Sequence, residues 1–404
     1  MNKNHNELIN WKTNAWKTKD MVSSYSVRMT ENSSSNQFKN VVEVGLIEQF
    51  LIGSKVLDVG IGTGRASYSL LKKGFQITGV DSSQAMLDEC KRLAGPLPIQ
   101  LLVGDICALP LPAGEFDSLI SLNVMTHFPH WREVLTEWRR VVKPSGRIIF
   151  DIYSNDHLSF VEGHTVTLNE LVQRGAGLFN MHVSAKEIFE FADEAGLRVV
   201  SIIPYGSVFS SQYRRFNCSS TNTTLNWWQK QLEWLTVDES LFDALLFMER
   251  NLFACLTSKT TGRYMVVLEN ETDLTANNNL RDRLKKIDSL LEGKVTLESL
   301  APYLPMPVDI WKKEFLRHIG PPRNRVAAYF LLSSFLGRPD AIDFTSFGFD
   351  SRITRWQVSW ILWREFFLNL RPWRTILRPM LAALLHKFGL LEKIKKYRQG
   401  YRFK

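Results

Sequence analysis

Three aspartates and three glycines near the start of the chain have the types and spacing to hold a polar small molecule. Asp58 precedes Val59-Gly60-Ile61-Gly62-Thr63-Gly64, Asp81 ends the apolar run 75–80, and Asp105 follows the run 99–103. Glycine at 60, 62 and 64 lets a ligand approach the backbone, and the amides that open the next helix are donors for its polar groups. A dinucleotide turn needs glycine where Arg65 stands, and a phosphate loop needs a Gly-Lys-Ser/Thr run that is absent. Neither diphosphate pattern fits.

Each of these residues requires a strand to end where it stands and a helix to begin behind it. Residues 55–59 read as a short apolar strand, 65–73 as a helix stopped at Gly74, and 75–80 as the next strand. Ser82 or Ser83 can cap a helix whose apolar side is Ala85, Met86, Cys90 and Leu93. Further strands are expected at 99–103, 116–122 and 147–152, with a helix over 131–142 stopped by Lys143-Pro144-Ser145-Gly146. A helix over 184–195 leads through Gly196 to a strand at 197–203, and 263–268 supply the last one. This alternation implies an α/β fold, a doubly wound parallel sheet with right-handed crossovers.

Around that sheet the chain divides into further parts. Residues 1–54 read as an N-terminal cap segment, carrying Trp11, Trp16, Tyr25 and Arg28 and a helix over 37–51. Within the 55–270 domain, 204–262 read as a helical insertion with Trp227, Trp228 and Trp234. After Glu271 the alternation stops, Asn277-Asn278-Asn279 is the expected hinge, and 271–404 read as a helical C-terminal domain ending in a basic amphipathic tail.

Composition sets outer bounds. With 404 residues, 45% of them hydrophobic, the chain can bury a sizeable core in two units. Cys90, Cys107, Cys218 and Cys255 form no C-x-x-C pair, which argues against a disulfide framework and a cysteine-bound metal, and points to a reducing cytoplasm. No apolar run of about 18 residues spans a bilayer, so a soluble or peripheral protein is expected. The net charge of +9 resides in the tail: from Arg371 onward ten basic residues face the single acid Glu392, leaving 1–370 formally neutral.

The segment Asp58-Val59-Gly60-Ile61-Gly62-Thr63-Gly64 resembles the first motif of the class I S-adenosylmethionine-dependent methyltransferases, and the likeness extends over about residues 21–270. The group it resembles most closely is typified by quinone-biosynthesis enzymes. Asp81 matches the acid that takes both ribose hydroxyls, a task suited to a carboxylate. Asp105 and Ile106 match the pair that meets adenine through a carboxylate and a backbone amide. Phe116-Asp117-Ser118-Leu119-Ile120-Ser121-Leu122-Asn123 resembles the fourth motif, with Asn123 leaving the strand into the site. Lys143-Pro144-Ser145-Gly146-Arg147 resembles a structural turn of the family and departs from it at Ser145. The resemblance implies S-adenosyl-L-methionine as cofactor, with Asp58 and the glycine turn at its amino-acid end, Ser82 and Met86 beside Asp81, and Tyr25 and Arg28 closing over it. It also implies a Rossmann-like, seven-stranded, mainly parallel sheet with a last antiparallel strand.

The methyl-accepting side is read from position. Transfer from a sulfonium depends on orientation and exclusion of water, with a general base optional for an acidic phenol. His127, just beyond Asn123, is the first candidate base because open α/β sheets bind ligands at this end. His130 is expected near it, and Tyr153 and His157 follow the fifth strand. The Trp227-Trp228 insertion either covers an apolar acceptor or packs on a sheet edge. Trp373, Ile376, Leu377, Met380 and Leu384 recur at helical spacing in the tail, which suits an anionic membrane surface at 371–404 or packing on the protein itself, and its cations suit nucleic-acid phosphates as a third possibility. The leading expectation is methyl transfer to oxygen or carbon of a small-molecule or lipid-linked acceptor. A non-catalytic docking module on the same fold is the alternative from another class. The fourth motif reads Ser121-Leu122-Asn123-Val124 and lacks the Asn/Asp-Pro-Pro-aromatic signature, which disfavours a nucleic-acid acceptor.

Overall fold

The computed structural model describes residues 3–30, 34–208, 238–256, 261–271, 274–335 and 341–349. Two compact units divide the chain, one of Met1–Ser210 with Glu249–Gly293 and the other of Ser211–Met248 with Lys294–Lys404. Three helices open the first unit: α1 (Lys3–Ala15), α2 (Lys19–Thr30) and α3 (Ser34–Phe50). Then β1 (Lys55–Val59), α4 (Ser67–Lys72), β2 (Gln76–Asp81), α5 (Gln84–Ala94), β3 (Ile99–Val103) and β4 (Phe116–Ser121) follow. A 3-10 turn (Met125–His127) leads to α6 (Trp131–Val141), β5 (Val142–Ser154), α7 (Asn155–Glu162), α8 (Leu168–Gln173), β6 (His182–Val183), α9 (Ala185–Ala195) and β7 (Arg198–Tyr205). Beyond α10 (Glu239–Asn251), β8 (Arg263–Glu269) and α11 (Thr275–Glu292) complete this unit.

The sheet runs β3-β2-β1-β4-β5-β8-β7, with the two-residue β6 added beside β5. β1 pairs in parallel with β2 and β4, and β4 with β5, while β8 runs antiparallel to both β5 and β7. The expected mainly parallel sheet with a late antiparallel strand is what the chain forms, with β6 as an addition. Central β1 is buried from Val56 to Val59, as a strand covered on both faces must be. On α6, Trp131, Val134, Leu135, Trp138 and Val141 recur at the 3.6-residue period and are all buried. Full burial of a side chain such as Leu135 stabilises by roughly 1.5–3 kcal/mol. That helix also restrains the loop after β3: the Trp138 indole donates to the Ile106 carbonyl (3.2 Å), and Glu137 accepts from the Leu109 amide (2.7 Å).

Ser145 stands at φ +57°, the left-handed region that favours glycine, which is the physical content of its departure from the family turn. Its amide donates to the Asn270 carbonyl (2.7 Å) and the Asn270 amide returns a bond to Gly146 (2.9 Å), so the turn is held from β8.

The hinge expected at Asn277-Asn278-Asn279 is instead the first turn of α11. Asn277 is fully buried: its side-chain oxygen accepts from the Val199 amide (2.7 Å), and its Nδ2 donates to Asp193 (2.9 Å) and to the Leu197 carbonyl (3.2 Å). Arg281 adds an ion pair to Asp193 and lies 4.7 Å over the Phe189 ring. Helix α11 is thereby fixed to α9 and β7, and its sequence looked like a linker only because buried asparagine and loop asparagine are the same letter.

The second unit contains residues 239–248 of α10, α12 (Leu297–Leu300), α13 (Val308–His318) and α14 (Pro322–Phe335). Phe247, Trp311, Phe315, Phe347 and Phe349 form its aromatic core, with Trp311 and Phe315 stacked at 4.9 Å. Asn324 donates to the Ser240 hydroxyl (2.8 Å). No helix among the described residues is long and apolar enough to cross a membrane. The Trp227-Trp228-Trp234 segment and the 371–404 tail lie outside the described residues.

Replacing Asn277 with Ala leaves the Val199 amide and the Leu197 carbonyl unpaired in the core. At about 1–3 kcal/mol for each orphaned group, the variant should lower the urea midpoint clearly. Replacement of the exposed Asn279 should leave it within about 0.5 kcal/mol of the parent. Equal midpoints for both would remove Asn277 from the account of how α11 is held.

Candidate active site

Gly60, Gly62 and Gly64 all have positive φ, at +69°, +54° and +84°. A Cβ at Gly60 would lie 2.4 Å from Val124, and one at Gly64 2.8 Å from Cys90 and Tyr68. At Gly62 a Cβ would meet the Tyr25 ring at 3.9 Å, an ordinary contact, so the positive φ rather than crowding favours glycine there. The amides behave differently from the expectation that they would be free donors. Gly60 and Ile61 donate to the Val80 carbonyl, Gly64 to Ile61, and Gly62 to Asp81 Oδ2 at 2.9 Å. At these four positions the turn consumes its own donors.

The three aspartates have three environments. Asp58 is 4% exposed and accepts from the Ser67 hydroxyl (2.6 Å), and among the described residues no lysine or arginine pairs with it. Burial pushes its carboxyl up to about 7. Asp81 ends β2 with Oδ1 accepting from the Ser83 amide (2.9 Å) and Oδ2 from Gly62; burial raises it too. Asp105 is exposed, one oxygen accepting from the Cys107 amide (2.9 Å), beside buried Ile106. Ser83 caps α5, its hydroxyl accepting from the Met86 amide (3.3 Å); Ser82 precedes the cap and Met86 is buried. Asp58, the glycine turn, Asp81 and Asp105 thus stand at the C-terminal ends of β1, β2 and β3, where open α/β sheets bind ligands.

The N-terminal helices reach the same end. Tyr25 of α2 faces Gly62 and packs edge-on against Trp16 (5.5 Å), which in turn meets the His127 ring (5.9 Å). The Arg28 backbone lies in α2, and its side chain is outside the described residues. His127 is held differently from a base. Burial, with Lys12 and Arg263 nearby, lowers its imidazole to about 4, so it gives up a proton far more readily than it takes one. His130 turns to Cys107, its Nε2 3.2 Å from Sγ, and burial pushes that thiol up to about 12, which removes it as a nucleophile at neutral pH. His157 is buried within α7.

A cluster of buried charges that sequence reasoning missed lies at the ends of β4, β5, β7 and β8. Asn123 has φ +60°, and its side-chain oxygen accepts from Lys39 Nζ (3.2 Å) and Arg263 Nη1 (2.8 Å). Arg263 pairs with Asp151 and donates to the Tyr153 hydroxyl (2.6 Å), lying 4.1 Å over that ring. Glu43, with no exposure, pairs with Arg65 (2.6 Å) and stands 3.6 Å from Lys39 Nζ. The Tyr205 hydroxyl lies 2.9 Å from Glu43 and 3.0 Å from Asp151 with one proton to give. Three cations therefore face two carboxylates. Burial lowers Lys39 to about 8 although Glu43 opposes the change, while Glu43 itself is held down to about 2 by Lys39, Arg65 and Arg263 against the cost of burial. A sequence signal existed: Glu43 sits between Val42 and Val44 on an apolar helix, and Asp151 interrupts the apolar run 148–152.

Comparison with known proteins places this geometry. The family profile described as a methyltransferase domain matches residues 57–150. A ubiquinone biosynthesis O-methyltransferase of Coxiella burnetii (strain RSA 493 / Nine Mile phase I) is 30% identical over 170 residues, 40% of this chain and 72% of that protein. One from Pseudomonas syringae pv. tomato is 30% identical over 160 residues, 38% of this chain and 68% of that protein. Among solved structures, Haemonchus contortus phosphoethanolamine N-methyltransferase 2 with S-adenosyl-L-methionine is 16% identical, with 65% of this chain and 60% of that one covered and a TM-score of 0.45. The sequence matches converge on enzymes that transfer a methyl group. This chain belongs to the class I S-adenosylmethionine-dependent methyltransferases, and S-adenosylmethionine is its cofactor.

The donor set suits that cofactor. Asp81, at the end of β2, would accept from the ribose diol and Asp105, after β3, from the adenine amino group. Asp58, buried without a cationic partner among the described residues, would receive the ammonium of the amino-acid end. When bound, the cofactor supplies a methyl group activated on a sulfonium.

Two measurements follow. A charged hydrogen bond contributes about 1.5–3 kcal/mol, so Asp81→Asn should weaken S-adenosylmethionine binding about 10- to 100-fold by isothermal titration; unchanged affinity would move the ribose elsewhere. Asp58 bears on stability as well. Its folded pKa of about 7 lies above the ordinary 3.8, so the cofactor-free fold holds a proton that the unfolded chain releases. Stability from this group is full below pH 4, declines as pH rises to about 7, and is level above it. Urea unfolding of Asp58→Asn should lack that decline, so the variant gains on the parent between pH 4 and 7.

Proposed function

We propose that the enzyme methylates a hydroxyl oxygen of an aromatic small-molecule or lipid-linked acceptor. The observation that carries this reading is the cluster around Asn123, which sets ionisable groups beside the glycine turn at the strand ends. Two features support it. Relatives at 30% identity bear the name ubiquinone biosynthesis O-methyltransferase. Aromatic rings also rim the site: Trp16 and Tyr25 from the N-terminal segment, and Tyr153 stacked on His182 at 5.0 Å.

In this reading each element has a task. Asp81 and Asp105 orient the cofactor from its nucleoside end and Asp58 from its amino-acid end. Tyr25 and Trp16 close the site against water, which matters because a displacement at carbon gains its rate from alignment and exclusion of competing nucleophiles. Arg263 and Tyr153 present a cation and a hydroxyl near Asn123, toward which an ionised acceptor oxygen would be drawn.

The test is incubation of the purified protein with isotopically labelled S-adenosylmethionine and hydroxylated aromatics such as catechol, followed by mass spectrometry. Product carrying the label on oxygen is expected. Label on nitrogen, or on carbon alone when cell extract is offered, would overturn the acceptor class.

A further inference from the structure

We propose that Lys39 is the general base of the reaction, its neutral amine taking the proton of the acceptor hydroxyl beside Asn123. The inference rests on the O-methylation reading above. Lys39 lies on α3, one helical turn from Glu43, and Glu43 holds Arg65, the residue directly after the glycine turn. Its Nζ is within 3.2 Å of the Asn123 side chain, and the neighbouring Val124 is the residue that Gly60 makes room for. The amine therefore stands where β1 and β4 end.

Charge balance singles out this lysine. The groups facing it are Glu43 on its own helix, Asp151 on β5, Arg263 on β8 and Arg65 after the glycine turn. Arg65 pairs with Glu43 and Arg263 with Asp151, so loss of a proton from Lys39 leaves two cations against two carboxylates. Arginine stays protonated, which makes Lys39 the cation able to restore neutrality. As an ammonium it has, among the described residues, one hydrogen bond, to Asn123, and the 3.6 Å approach to Glu43. Burial brings it to about 8, within the range in which a lysine works as a base. His127, lowered to about 4, is the weaker competitor.

The step balances as follows. The acceptor O–H bond breaks, its proton passing to Nζ, and the oxygen pair forms the bond to the methyl carbon. The carbon–sulfur bond breaks in the same displacement, its electrons staying on sulfur. The ammonium so formed is met by Glu43 and Asn123, and it returns its proton to water after product leaves.

Lys39→Met and Lys39→Arg test this against the parent, with the S-adenosylmethionine affinity of each measured beside its kcat. With catechol, parental kcat should rise with pH and level off above about 8. Both variants should lose that inflection and about 10²-fold or more in kcat at neutral pH. With 4-nitrocatechol, already ionised at neutral pH, the deficit should nearly vanish. A readout without turnover is trace acetylation of the cofactor-free protein across pH, in which the Lys39 peptide should titrate near 8. Full activity in Lys39→Arg would make the lysine a mere positive charge. Weakened cofactor binding with parental kcat would make it a cofactor ligand. Either result overturns the proposal. Failure of the parent to methylate any hydroxylated aromatic would instead sink the acceptor reading, and the role of Lys39 with it.

Discussion

Burial of Glu43 is the constraint on which the site depends. A carboxylate with no solvent contact is tolerable only if cations and donors surround it, and removal of one partner from such a pair costs about 3–5 kcal/mol. Meeting that demand brings Arg65 back from the glycine turn, Lys39 from the preceding turn of α3 and Tyr205 from the end of β7. Tyr205 carries the linkage to Asp151, and Asp151 carries it to Arg263 and the Asn123 backbone. One buried charge thus ties a helix outside the sheet to three strands within it and to the loop after β4.

The same region combines two kinds of order. At the β1–β2 end, positive-φ glycines and a self-bonded backbone make the surface, and Asp81 bonds both the turn and the start of α5. At the β4–β5–β8 end the surface is built from charged side chains in low dielectric, where interactions are strong and an unmatched proton is costly. A cofactor fits the first kind of surface, since it needs the same shape in every turnover. In the proposed reading, an acceptor that must lose a proton meets the second.

Several late elements bear on the site without touching it. Helix α6 restrains the Asp105 loop through Trp138, Glu137 and Arg140. Glu269 joins β5, β8 and β7 by pairing with Arg147 and Arg198, and Asn277 fastens α11 under β7. Tyr205 and Arg263 are positioned from these strands, which links the far end of the sheet to the charge cluster.

The sequence by itself determined the sheet, the class of enzyme and the cofactor. Those features rest on local rules: apolar runs of strand length, glycine where φ is positive, an acid at a strand end and amphipathic helix periods. Local rules also erred where burial decides, as when Asn277 resembled a linker. Only the tertiary structure brought Lys39, Glu43, Arg65, Asn123, Asp151, Tyr205 and Arg263 together, from a helix, a turn, a loop and three strands. Beyond the i, i+4 pair of Lys39 and Glu43, no spacing rule relates such residues, and their protonation depends on burial, which exists only once the chain has packed.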